Sequence, residues 1–98
     1  MEPRSGWTFL SNHAHVLVAL AVDPSLRLRD LADMVGITER AVAQIVGDLE
    51  AAGALVRERD GRRNLYQVNP QLPLRHRLEA HRTVGDLIEA VCGKRLRT

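Results

Sequence analysis

The sequence predicts a mainly α fold with one small antiparallel β-hairpin and an added C-terminal helix. Three observations carry that prediction. Val42, Ile45, Val46 and Leu49 recur at i, i+3, i+4 and i+7, which gives a helix one apolar face. Gly36-Ile37-Thr38 separates this helix from a shorter apolar-patterned segment, as a tight interhelical turn would. Asp60-Gly61 lies between two strand-like runs, residues 55–59 and 64–68, as a hairpin turn would.

Each element follows from local chemistry. Ser11 or Asn12 caps a first helix that runs to about Val22, with Val16, Leu17, Leu20 and Ala21 as its buried stripe. Asp23-Pro24 ends it, because a proline disfavours helix in the residue before it. Trp7, Phe9 and Leu10 precede the cap and are expected to pack this helix onto a neighbour; an exposed Trp7 used for ligand or partner contact is the alternative. Residues 25–28 are expected to add a third strand to the hairpin. Residues 29–35 form a second helix with Leu31, Ala32 and Val35 inward and Asp30 at its positive end. Thr38 caps the third helix, residues 38–52, and Ile37 plugs the corner.

Gly53 ends the third helix, and the hairpin follows with Tyr66 and Val68 facing inward. Asn69-Pro70 and Pro73 mark a loop. A last helix is expected over residues 74–92, with two apolar stripes: Leu74, Leu78, Ile88 and Cys92, and Ala80, Val84, Leu87 and Val91. The 4-3-4 spacing of the second stripe is coiled-coil-like. One stripe would cover the domain and the other meet a second chain, so Leu78, Ala80, Val84, Leu87, Ile88 and Val91 are the candidate dimerisation residues. Residues 7–93 read as one domain and residues 1–6 and 94–98 as flexible tails, the last carrying Lys94, Arg95 and Arg97.

Composition narrows the function classes. At 98 residues the chain suffices for one domain with one modest core. Only 3% of residues are aromatic, against 45% hydrophobic overall, so the core is aliphatic. The same scarcity of rings argues against a base-stacking platform for single strands. The formal net charge is only +2, so any case for nucleic acid rests on where the charges sit. A single cysteine, Cys92, excludes an intramolecular disulfide and an all-Cys metal site. It is expected to be a half-buried thiol near the dimer contact, an intersubunit disulfide or redox switch being the alternative. The apolar run 16–22 is too short to span a bilayer, and the N-terminus has no secretory pattern, so a cytoplasmic protein is expected.

Ala32, Gly36, Ile37, Val42 and Ile45 occupy the small, turn and apolar positions of a helix-turn-helix signature, and Asp60-Gly61-Arg62-Arg63-Asn64-Leu65-Tyr66 looks like the adjoining wing. From Trp7 to Val91 the chain resembles small winged helix-turn-helix regulators of the MarR-like kind. The likeness is carried by Asn12-His13-Ala14, Gly36-Ile37-Thr38-Glu39-Arg40, Gly61-Arg62-Arg63-Asn64 and Pro73-Leu74-Arg75-His76. Leu65 departs from it, standing where an outward polar or basic residue is expected. The resemblance implies a homodimeric regulator of transcription that binds double-stranded DNA, repression being the commoner outcome. A small-molecule effector fits that picture.

The residues support that expectation chemically. The third helix turns Arg40, Ala43, Gln44 and Gly47 away from its apolar face. Arg40 can donate twice to guanine or hold a phosphate, and Gln44 can pair with adenine. Thr38 can contact a phosphate or a thymine methyl, while Ala43 and Gly47 let the backbone approach. Arg62, Arg63 and Asn64 on the wing suit phosphate or minor-groove contact, and Arg29 is a weaker phosphate candidate. The alternative for each is a solvated surface side chain.

Metal chelation has no local support. His13 and His15 diverge by about 200° on a helix, and His76 and His81 are five apart rather than four. His13 and His76 are expected to hydrogen-bond locally at helix starts, and no cofactor is implied. No phosphate loop, nucleophile elbow or paired carboxylates suggest an enzyme. The rival class is a winged-helix protein-interaction module without specific DNA binding, which Leu65 and the low net charge favour. A ligand- or metal-responsive sensor would refine the first reading rather than replace it.

Overall fold

The Ser11 hydroxyl accepts from the Ala14 N–H and starts α1, Asn12–Val22. The computed structural model describes residues 6–93, in the order α1, α2 (Leu28–Val35), α3 (Glu39–Ala51), β1 (Leu55–Asp60), β2 (Arg63–Val68) and α4 (Val84–Cys92). Most of both expected tails, residues 1–5 and 94–98, and with them the basic Lys94, Arg95 and Arg97, lies outside the described residues.

α1 is the centre of the packing. It touches α2, α3, α4 and β2, and its Val16, Leu17, Ala19 and Leu20 are buried. The expected stripe shifts slightly: Ala19 is buried and Ala21 only half-buried. Leu31 and Ala32 of α2, and Val42, Ile45, Val46 and Leu49 of α3, complete the helical part of the core. Between α2 and α3, Gly36 sits at φ +85°, a left-handed conformation that side-chain-bearing residues resist. The Gly36 and Ile37 N–H groups both return to the Ala32 carbonyl, at 2.8 and 3.1 Å.

The hairpin pairs Leu55 with Val68 and Asp60 with Arg63, leaving Gly61 and Arg62 as its two-residue turn. The turn is thus one residue later than the Asp60-Gly61 reading. Leu55 and Tyr66 are buried, and Val68 packs against the core.

Residues 25–28 do not form a third strand; the described sheet has two. The Asp23 carboxylate accepts from the Ser25 N–H and hydroxyl, at 3.0 and 2.7 Å, and bends the chain. Asp30 then accepts from the Arg27 N–H at 3.0 Å and starts α2 at Leu28. Just before that segment, the Pro24 carbonyl accepts one bond from the Tyr66 N–H at 3.1 Å.

The last helix is half the expected length. It begins at a capping box, in which the Thr83 hydroxyl accepts from the Asp86 N–H and the Asp86 carboxylate from the Thr83 N–H. The Thr83 backbone bond holds the Asp86 carboxyl below its ordinary value of 3.8, helped by the Thr83 hydroxyl and Arg82 against partial desolvation. Residues 75–82 instead form a closed excursion. The Leu78 N–H donates to the His76 ring, and the Leu74 N–H meets the Arg82 carbonyl at 2.9 Å. The proposed dimerisation stripe is therefore broken. Leu78 (75% exposed) and Ala80 lie in the excursion, Val84 and Ile88 are buried in the domain's own core, Leu87 is half-buried, and Val91 is exposed.

α4 is docked by backbone. The Val84 N–H donates to the Leu72 carbonyl and the Gly85 N–H to the Pro70 carbonyl, at 2.8 and 2.9 Å. A Cβ at Gly85 would lie 2.9 Å from both the Pro70 carbonyl oxygen and its Cβ. Alanine is favoured over glycine in a helix by up to ~1 kcal/mol, but here it forces a backbone shift costing roughly 1–3 kcal/mol. Gly85→Ala is therefore expected to lower stability, read as a lower urea midpoint at unchanged slope.

Candidate nucleic-acid interface

α3 sorts its side chains by period. Val42, Ile45, Val46 and Leu49 turn inward, leaving Arg40, Ala43, Gln44 and Gly47 exposed on one outer face. Thr38 is also exposed, and its hydroxyl accepts from the Ala41 N–H at 3.0 Å, fixing the first turn of the helix. A Cβ at Gly47 would meet nothing within 4 Å, so its smallness serves no contact inside the domain. Arg29 is exposed near the start of α2. Among the described residues neither Arg40 nor Arg29 has an ion-pair partner.

The hairpin extends from the C-terminal end of α3. Arg57 pairs with Glu50 of α3, its Nε 3.4 Å from the carboxylate. Arg59 donates to the Gly61 carbonyl across the turn, and Arg63 reaches back to the Ser25 carbonyl, each at 3.4 Å. Asp23 stands behind Ser25. The hydroxyl and backbone of Ser25, and then the charge of Arg63, hold its carboxyl below the ordinary 3.8. Arg62 and Arg63 are exposed and Asn64 is half-buried opposite Arg59. Leu65 is half-buried on the other hairpin face, with Val56 and Glu58.

Thr38, Arg40, Ala43, Gln44 and Gly47 are thus brought together on one helix surface, with Arg62 and Arg63 on an arm anchored to the end of that helix. The Glu50–Arg57 pair was missed by sequence reasoning. Its only trace is opposite charge on either side of the Gly53 turn, a pattern too common to single out.

A second concavity lies away from this face. A groove of about 960 Å³ runs between α1, the C-terminal end of α3, residues 72–75 and α4, lined largely by Phe9, Leu10, Leu17, Leu49, Leu72 and Leu87. Trp7 and Phe9 do not pack α1 onto a neighbour. They are 74% and 91% exposed and stack edge-to-face, ring centroids 4.8 Å apart, with Phe9 at the groove's rim. His13 does not bond locally. Its Nε2 meets the Asp48 carboxylate at 2.9 Å, tying α1 to α3, whereas His76 does bond locally, to the Leu78 N–H. Cys92 is free and half-buried. Among the described residues no three His, Cys, Asp or Glu side chains are grouped to hold a metal ion, and no helix is long and apolar enough to cross a membrane.

Comparison with known proteins agrees with this geometry. A model of the MarR family matches residues 7–63. The PcaV transcriptional regulator of Streptomyces coelicolor, solved in complex with its natural ligand, is 33% identical, with 61% of this chain and 45% of that chain covered and a TM-score of 0.53. The zinc-dependent regulator AdcR in its Zn(II)-bound state is 25% identical, with 70% and 49% covered and a TM-score of 0.52. MepR, a transcription regulator of the Staphylococcus aureus multidrug efflux pump MepA, is 20% identical, with 85% and 55% covered and a TM-score of 0.58, a likeness of fold alone. The chain spans about half the length of these solved structures. No curated protein matches it. The PcaV and AdcR proteins it resembles are regulators of transcription. The helix–turn–helix that carries Arg40 and Gln44 and the hairpin that carries Arg62 are those of a winged helix, and the chain belongs to the MarR family.

Proposed function

We propose that the chain binds double-stranded DNA sequence-specifically and regulates transcription as a homodimer, most simply as a repressor that blocks polymerase. α3 enters the major groove and the hairpin lies on the backbone or in the minor groove. The observation that carries this reading is the outer face of α3: Arg40 and Gln44 exposed one turn apart, flanked by Ala43 and Gly47, and without a side-chain partner among the described residues. Thr38, Arg29, Arg62 and Asn64 supply the surrounding backbone contacts. Two such helices in a dimer would meet major grooves about one turn (~34 Å) apart, so the operator is roughly palindromic. The dimer contact draws on Leu87 and Val91 of α4 and on the rim of the groove, since Val84 and Ile88 are already used within the domain.

Salt dependence tests the reading. With four to eight phosphates contacted, affinity falls about 10²- to 10⁴-fold between ~50 and ~200 mM salt. An apolar docking module, which Leu65 would suit, shows almost none of this dependence. That outcome, with no preference among duplexes, would remove the DNA-binding reading. A small-molecule effector belongs in the ~960 Å³ groove, which touches both α1 and the end of α3.

A further inference from the structure

The hairpin carries four arginines, at 57, 59, 62 and 63, and their surroundings differ. Arg57 is turned toward α3 by Glu50. Arg63 is turned toward the α1–α2 turn, where it donates to the Ser25 carbonyl and feels the Asp23 charge. Arg59 lies over the turn backbone on the Gly61 carbonyl. Arg62 sits within the two-residue turn itself, and among the described residues it is the hairpin arginine with no partner. Bonds of 3.4 Å between exposed groups are individually weak. They nonetheless set where three guanidinium groups point: Arg57 and Arg63 back toward the domain, and Arg59 onto its own turn. The Tyr66 N–H to Pro24 carbonyl bond fixes the same stem against the same turn.

Resting on the DNA-binding reading above, we infer that the hairpin contacts DNA through Arg62, while Arg57 and Arg63 are positioning residues that hold the arm at a set angle to α3. Arg59 stiffens the tip that carries Arg62. The division separates two arginines adjacent in sequence: one meets phosphate or the minor groove, the other braces the arm.

The test is operator affinity measured against salt for wild type, Arg62→Ala, Arg63→Ala and Arg57→Ala, with melting curves alongside. Arg62→Ala loses one counterion-releasing contact in each protomer of the dimer, so its log–log salt slope falls by about 1.8, and its affinity drops roughly 100-fold near 0.1 M salt. Arg63→Ala and Arg57→Ala keep the wild-type slope and lose no more than about fivefold in affinity. The swap Glu50→Arg/Arg57→Glu recovers the affinity that Arg57→Glu alone loses, which a direct phosphate contact at position 57 could not do. Slopes reduced equally at 62 and 63, or an unchanged slope at 62, would overturn the assignment. Wild-type protein that binds duplex without salt dependence fails earlier, at the DNA-binding reading itself.

Discussion

Replacing Arg40 and Gln44 together by alanine is expected to remove operator recognition while leaving the domain folded. Each bidentate contact to a base edge discriminates by about 1–3 kcal/mol. Lost together from both protomers of the dimer, they should cost at least about 1,000-fold in operator affinity. Stability should barely move. Both side chains are exposed, neither has an ion-pair partner among the described residues, and alanine is a good helix former. The measurement is a titration of labelled operator and of a scrambled duplex at one salt concentration. Loss confined to the operator locates base readout on α3. An equal loss on both duplexes would reduce Arg40 to a phosphate contact. Weak, unchanged binding to any DNA would leave only a basic surface, and the search would turn to a protein partner.

The part of the fold that presents this face was legible in the sequence because its signals are local and agree. The apolar period of α3, the Thr38 cap and the Gly36 turn each constrain the same few residues, and the hairpin adds a turn signal between two short runs. The C-terminal part was not legible by the same rules. Leu74 and Leu78 fall at helical spacing with no proline or glycine between them, so periodicity extends the helix through them. The competing signal was present in Thr83-x-x-Asp86, a helix-start pattern whose two bonds begin α4 at Val84. The third strand failed for a related reason. Asp23 and Asp30 capture backbone N–H groups that a strand would have offered to its neighbour. The candidate DNA residues could be listed from α2, α3 and the hairpin turn, but the unequal circumstances of Arg62 and Arg63 depend on Ser25, 38 residues from Arg63 in sequence. No local pattern contains that information.

Ile88→Ala is expected to be among the most damaging single substitutions in the chain, although it lies in a helix of nine residues near the C-terminal end. A helix that short is not stable by itself in water. It persists because Val84 and Ile88 are buried against the core, Ile88 to 1% exposure, and because its first turn is bound to the Pro70 and Leu72 carbonyls. Truncating Ile88 removes three carbons from a site whose walls are held by those bonds and cannot readily close, so a loss of about 2–5 kcal/mol follows. Against a total of about 5–15 kcal/mol for a domain of this size, that lowers the melting temperature by roughly 10–25 °C. Val91, one turn further along the helix and 49% exposed, provides the contrast. Val91→Ala should shift the midpoint by no more than about 0.5 kcal/mol at dilution, and should matter more as protein concentration rises if this face meets a second copy. Urea unfolding of both variants at two concentrations separates the buried Ile88 site from the exposed Val91 site. A mild Ile88→Ala beside a severe Val91→Ala would mean that Val91 rather than Ile88 is seated in the core, and this packing of α4 would have to be abandoned.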